Sequence, residues 1–135
     1  MHEAIRVYRN HFKPSTYLEK PYVMLGVPLV AADTDEHADY LATSVYQRIL
    51  ALMRGQSLMQ RPPVDTMDAL WLPHEREAVA SFLGLAMVGG PQKIRAKLDV
   101  LLEQTQADEL IFTCDLYEHT DRLRSYEILA QTVLG

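Results

Sequence analysis

Cysteine, basic excess and long apolar runs are all scarce in this chain. With a single cysteine, Cys114, no disulfide framework can form within it, which suits a reducing compartment. Lys and Arg number 13 against 18 Asp and Glu, so the net charge is −5. No basic surplus is available to neutralise phosphates along a strand, which argues against a nucleic-acid binder. No apolar run approaches the roughly 18 residues of a membrane span, and Met1-His2-Glu3 does not read as the start of a signal peptide. The expectation is a soluble cytoplasmic protein with no membrane partner. The five histidines at positions 2, 11, 37, 74 and 119 form no His-x-x-x-His pair and no cluster with Cys114, so no metal site is expected.

What is present is helix and strand punctuation in alternation. Gly90-Pro91 reads as a helix start, with Pro91 setting φ at the first helical position, where no N–H is needed. Ile94, Leu98, Leu101 and Leu102 recur at helical spacing, with charged residues largely opposite. Ala107 to Thr113 is then a short apolar run with β-branched and aromatic content, and a final helix is expected from about Thr120 to Val133. Upstream, Pro21 to Ala32 is almost continuously apolar, as in a strand covered on both faces of a parallel sheet. Pro28 cannot donate to a ladder, so an unpaired side, a bulge or a bend is expected there. Asp33 and Glu36 stand at capping-box spacing before a helix whose inward stripe reads Ala38, Leu41, Val45, Ile49 and Leu52, closed by Arg54-Gly55. Further helices are expected from Glu3 to about Phe12 and from Pro73, the latter with Val79, Phe82, Leu83 and Ala86 as its apolar face. A helix opening at the first methionine with no strand before it fits a chain cut from something longer.

The expectation is therefore an α/β fold, a single domain over residues 1–135, with about two parallel strands (22–31 and 108–114) and five helices. Residues 56–72 read as a long irregular loop, expected to vary most in position. Two parallel strands leave exposed edges and uncovered faces, so the chain alone is expected to form a homodimer or to pair with a complementary chain. At 135 residues it is too short for a closed eight-unit barrel, which needs about 200.

Strand ends supply the candidate chemistry. Cys114, followed by Asp115 and His119, admits a nucleophile-and-base reading, which requires a thiol of depressed pKa. The plainer reading is a small packed hydrophobe, because no nucleophile-elbow signature surrounds it. Thr113 ends the second strand, and Trp71 lies in the long loop either to cover an apolar ligand or to anchor the loop. Gly89-Gly90-Pro91 is better explained as helix capping than as an anion cradle, since no Lys or Ser follows at P-loop spacing. Arg122 and Arg124, beside Tyr126 and Glu127, read as a salt-bridged helix face more readily than as ligand contacts.

The stretch MVGGPQKIRAKLDVLLEQTQADELIFTCDLYEHTDRLRSYEILAQ resembles the C-terminal end of luciferase-like, flavin-dependent monooxygenases, the bacterial luciferase family. The family's pattern is a Gly-Ser/Thr-Pro helix start, ADEL with an apolar strand, and a final helix like RLRSYEIL. FKPSTYLEKPYVMLGVPLVAADTDEHADYLATS is similar to the strand and helix that precede it there, so the likeness runs from about Tyr8 to Leu129. The chain departs from the pattern at Gly90 and at Cys114, where relatives have serine. The resemblance implies part of a (β/α)8 TIM barrel and, for the whole enzyme, an oxidoreductase using reduced FMN and O2 on a small organic substrate. It also implies that the front half, which supplies most flavin contacts, is missing, so the chain is expected to be inactive alone. Cys114 and His119 are the catalytic candidates and Thr113 and Trp71 the cofactor candidates; no family residue role transfers onto any of them. The alternative is a non-catalytic dimerising α/β module that recruits a partner chain.

Overall fold

The longest apolar run forms the central strand. In the computed structural model, which describes residues 2–14, 20–57 and 59–134, β1 (Met24–Ala31) has a parallel neighbour on each side. The order is α1 (His2–His11), β1, α2 (Asp35–Met53), α3 (Pro73–Phe82), β2 (Met87–Gly89), α4 (Pro91–Thr105), β3 (Glu109–Thr113) and α5 (His119–Leu134). The sheet runs β2-β1-β3, with Leu29 opposite Met87 on one side and Met24 to Pro28 opposite Glu109 to Thr113 on the other. The five expected helices are present.

The expectation of about two strands is corrected to three. Met87-Val88-Gly89 is too short to announce itself locally and reads as the lead-in to α4. Its strand character comes from pairing with Leu29, Val30 and Ala31, a tertiary cause. Pro28 is tolerated for the same reason. By strand alternation its nitrogen points to the side from which Ala32 N–H reaches Gly89 O, and there β2 begins only at the next position.

Strand order dictates the layers. The β1–β2 connection steps one way and the β2–β3 connection steps back across β1, so two right-handed crossovers fall on opposite faces. On one face Leu25, Val27, Leu29, Ala31 and Met87 pack with Ile94, Leu98 and Leu101 of α4 and Ile128 and Leu129 of α5. On the other, Val30 and Ala32 pack with Ala38, Leu41 and Ala42 of α2 and with Leu116. That second face is covered only toward the carboxyl ends of the strands. Lower down, Met24 is 53% exposed and Ile111 47%, with Gly26 and Glu109 exposed beside them.

Several local expectations shift. The N-cap of α2 is Thr34, whose Oγ1 accepts from His37 N–H at 3.1 Å, in place of an Asp33–Glu36 box. Gly90 is extended (φ −78°, ψ −179°), a conformation open to any residue; what it supplies is room, since a Cβ would come 3.3 Å from Asp35 Oδ1. The stripe of α2 is rotated: Leu50 and Ala51 are buried, Val45 and Ile49 half-buried and Leu52 exposed. The helix serves two clusters, and its far end packs with Met67 and Val79. Likewise α3 ends at Phe82, which is exposed.

The described residues between α2 and α3 carry no helix or strand, yet they are held at many points. Thr43 Oγ1 donates to Tyr40 O at 2.6 Å and accepts from Val64 N–H at 2.9 Å, Ser44 donates to Arg61 O, and Gln47 donates to Pro62 O at 3.0 Å. Three polar side chains of α2 thus take the place of a neighbouring strand for this extended backbone. Arg54, at the C-cap of α2, closes the loop by donating to both oxygens of Glu75, each at 2.7 Å, and to Leu70 O.

That fork, with a further bond from Leu72 N–H, lowers the Glu75 carboxyl from 4.5 to about 2. A carboxyl with a lower folded than unfolded pKa adds stability above the unfolded value and loses it as pH falls toward the folded one. Glu75→Gln is therefore expected to lower the urea midpoint at pH 7, with wild type and variant converging between 4.5 and about 2. Urea titrations of both proteins across that range check it; parallel curves would mean the fork is idle.

Candidate functional site

In a parallel sheet flanked by helices, ligands lie beyond the carboxyl ends of the strands. Here those ends carry Ala32-Asp33-Thr34 after β1, Gly90 after β2 and Cys114-Asp115 after β3. The acidic loop after β1 is structural. Asp33 Oδ1 accepts from Arg124 Nη2 at 2.5 Å and Nε at 3.0 Å, and Asp35 Oδ1 accepts from Gly90 N–H at 2.6 Å. Arg124 also reaches Glu127 at 3.3 Å, so it belongs to a salt-bridged face.

β3 stops three positions short of the end of β1, because Pro28 faces Thr113 and Leu29, Val30 and Ala31 have no β3 partner. Ser125 of α5 takes the vacant place. Its hydroxyl accepts from Ala31 N–H at 2.9 Å and donates to Ala31 O at 2.7 Å. This double bond to one residue is what a ladder partner would supply, and it anchors α5 over the end of β1.

Cys114 lies beside this joint, buried among Val30, Ala32 and Leu116. Burial pushes its thiol up, outweighing the Ser125 and Leu116 hydrogen bonds that pull the other way. The nucleophile reading needs the opposite direction. His119 opens α5 at the surface with Nδ1 3.4 Å from Arg122 Nη2, and among the described residues no hydrogen bond joins it to Cys114. Cys114 is expected to react with a thiol reagent such as DTNB at least about tenfold more slowly in the native protein than in urea. Stopped-flow measurement at pH 8 in both conditions checks this.

Thr113 is exposed at the top of β3, opposite Pro28. Trp71 is half-buried in the cluster beneath the loop, its ring 5.9 Å from that of Tyr46. The two cofactor candidates thus sit in different surroundings. Among the described residues no three His, Cys, Asp or Glu side chains converge as a metal cluster, and no helix is long and apolar enough to cross a membrane.

An open cleft of about 440 Å³ lies at the strand ends, lined by Arg48, Gln60, Cys114, Asp115 and Arg122. Arg48 comes from α2, on one face of the sheet, and Arg122 from α5, on the other. Arg48 Nη1 stands 3.6 Å from Asp115 Oδ2. Arg122 Nη1 donates to Leu116 O at 2.7 Å, and Gln60 Nε2 donates to Asp115 O at 2.9 Å and Leu116 O at 3.2 Å. Sequence reading reached Cys114 and Asp115 through the strand-end rule but not Arg48 and Gln60. They lie 67 and 55 positions before Asp115 (115 − 48 and 115 − 60), and no local pattern marks either.

A three-stranded parallel sheet with helices on both faces and a cleft at its carboxyl edge defines an α/β protein. Comparison with known proteins narrows this. The chain is 48% identical over 127 residues to the uncharacterised Bacillus subtilis protein YvbT, covering 94% of this chain and 38% of that protein. It is 38% identical over 126 residues to a luciferase-like monooxygenase of Escherichia coli K12, covering 93% of this chain and 38% of that one. The crystal structure of apo-MsnO8 shares the fold, with a TM-score of 0.75 at 24% identity over 98% of this chain and 41% of that chain. No protein-family model matches the chain. The chain is homologous to the luciferase-like monooxygenases and corresponds to a fragment of that family. It spans about 38% of the length of the relatives it matches.

Proposed function

We propose that the chain is the C-terminal portion of a flavin-dependent luciferase-like monooxygenase. In this reading it is an arc of a (β/α)8 barrel that takes part in oxidising a small organic substrate with reduced FMN and O2 only when the rest of the barrel is present. The observation that carries this is the unequal cover of the sheet, complete on one face and confined to the carboxyl ends of the strands on the other. β1 and β3 pair along five positions with α4 and α5 sealing one face, as the outer layer of a barrel does. The opposite face leaves Met24, Gly26, Ile111 and Thr113 uncovered, where a barrel would turn them inward against other strands.

A flavin ring finds no enclosed apolar pocket of its size at the strand ends, since the cleft of about 440 Å³ there is open and lined mainly by charged and polar side chains. Pockets for ligands of that size hold roughly 300–1,000 Å³. The apolar pocket at the strand ends, between Pro28, Val30, Val88 and Thr113, holds about 20 Å³. The ring system therefore lacks walls here, and no catalytic step is assigned to Cys114, His119, Thr113 or Trp71.

The test is FMN titration, followed by fluorescence quenching, on the chain alone and on the chain co-expressed with the remaining part of the E. coli relative. Saturable binding only in the co-expressed pair is expected. A pair that assembles without taking up FMN would sink the reading. The same uncovered face supports a second reading, a dimerising module without catalysis. It calls for a homodimer by sedimentation when the chain is alone, converted to a monomer by Ile111→Lys with Met24→Lys.

A further inference from the structure

β1 and β3 are adjacent, yet their outgoing connections leave to opposite faces, β1 toward α2 and β3 toward α5. In this chain the divergence leaves a crevice between the two strand ends, on the carboxyl side where parallel sheets and barrels alike hold their ligands. The cleft of Arg48, Gln60, Cys114, Asp115 and Arg122 occupies that place. In a chain of net charge −5, two guanidinium groups reach it from opposite sides of the sheet.

We propose that this crevice binds the phosphoryl group of a phosphorylated small molecule, gripped by Arg48 from α2 and Arg122 from α5. Arg48 is committed to little. Its Asp115 partner stands at 3.6 Å, beyond hydrogen-bond length, with Asp115 exposed and the Arg48 side chain 38% exposed. Asp115 acts as a placeholder that a stronger anion displaces. Arg122 spends one N–H on Leu116 O, which fixes the plane of its guanidinium, and Nη2 faces His119 at the longer 3.4 Å. Gln60 is a positioning residue, since its amide holds the Asp115 and Leu116 carbonyls and so the loop that bears Asp115. A planar carboxylate is matched by a single two-pronged guanidinium. A tetrahedral phosphoryl group directs oxygens to more than one side and can engage both.

The test titrates the full chain at low ionic strength with inorganic phosphate and with phenyl phosphate, reading the backbone amide shifts of Cys114 to Arg122 by NMR; acetate is the carboxylate control. Saturable millimolar binding of both phosphates is expected. Arg48→Gln is expected to weaken it about tenfold, Asp115→Asn to tighten it about threefold, and acetate to bind at least about tenfold more weakly than phosphate. Arg122→Gln also removes a loop bond, so the decision rests on Arg48 and Asp115. No saturable phosphate binding, an unaffected Arg48→Gln, a weakened Asp115→Asn, or acetate equal to phosphate would each overturn the proposal. The assay contains no flavin and no second chain, so its failure is distinct from failure of the barrel reading.

Discussion

Ser125→Ala is expected to cost about 3 kcal/mol of unfolding free energy, although it removes one oxygen atom. The hydroxyl is fully buried and makes two bonds to Ala31, at 2.9 Å from the N–H and 2.7 Å to the carbonyl. Alanine leaves both backbone groups at the end of β1 without their partner, and a buried orphan costs about 1–3 kcal/mol each. Thr132→Ala on the same helix serves as the control. Its hydroxyl only adds a 2.8 Å bond to the Ile128 carbonyl one turn back, so a change under about 1 kcal/mol is expected. Urea unfolding followed by circular dichroism decides the matter: a Ser125→Ala midpoint within error of that of Thr132→Ala would show that the ladder end does not need its cap.

Ile94→Ala is expected to cost about 3–4 kcal/mol. Ile94 is 0% exposed and packs in the cluster that joins α4 to β1, β2 and α5. Removal of its outer carbons loses their transfer energy and leaves a cavity that the surrounding elements cannot close without moving. Leu102→Ala on the same helix is the comparison, since Leu102 is 38% exposed and should cost about 1 kcal/mol or less. Equal losses for the two would mean that the packing of α4 is not as described. An unchanged denaturant slope in both variants would place the effect in the native state.

Most of the helices and two of the strands were legible because each carries its own pattern. The apolar run from Val23 to Ala32 marked a strand, but cover on both faces holds only from Leu29 to Ala32, since Met24 and Gly26 are exposed. What was illegible depends on distant partners. Met87-Val88-Gly89 is a strand only because Leu29 to Ala31 lies beside it. Thr34 caps α2 in place of Asp33, which read as the capping group with Glu36 and is drawn to Arg124 instead. Thr43 and Ser44 look like weak helix residues and are buried because the Arg61–Val64 backbone needs them. At the strand ends the rule of position found Cys114 and Asp115. The cationic lining comes from α2 and α5, which only the topology brings together.

The pairing of β1 with β3 also sets a timetable for biosynthesis. Val23 N–H meets Asp108 at 2.7 Å across a sequence separation of 85 residues. At about 5–20 residues per second, a ribosome needs roughly 4–17 seconds to make that interval. Throughout it, the most apolar stretch of the chain has left or is leaving the exit tunnel without the strand that completes its ladder. α2, built from contacts three and four residues apart, can form at once and shield Val30 and Ala32, whereas Leu25 and Val27 wait for α4 and α5. Slowing translation beyond β1 would lengthen the interval in which Leu25 and Val27 lack their cover.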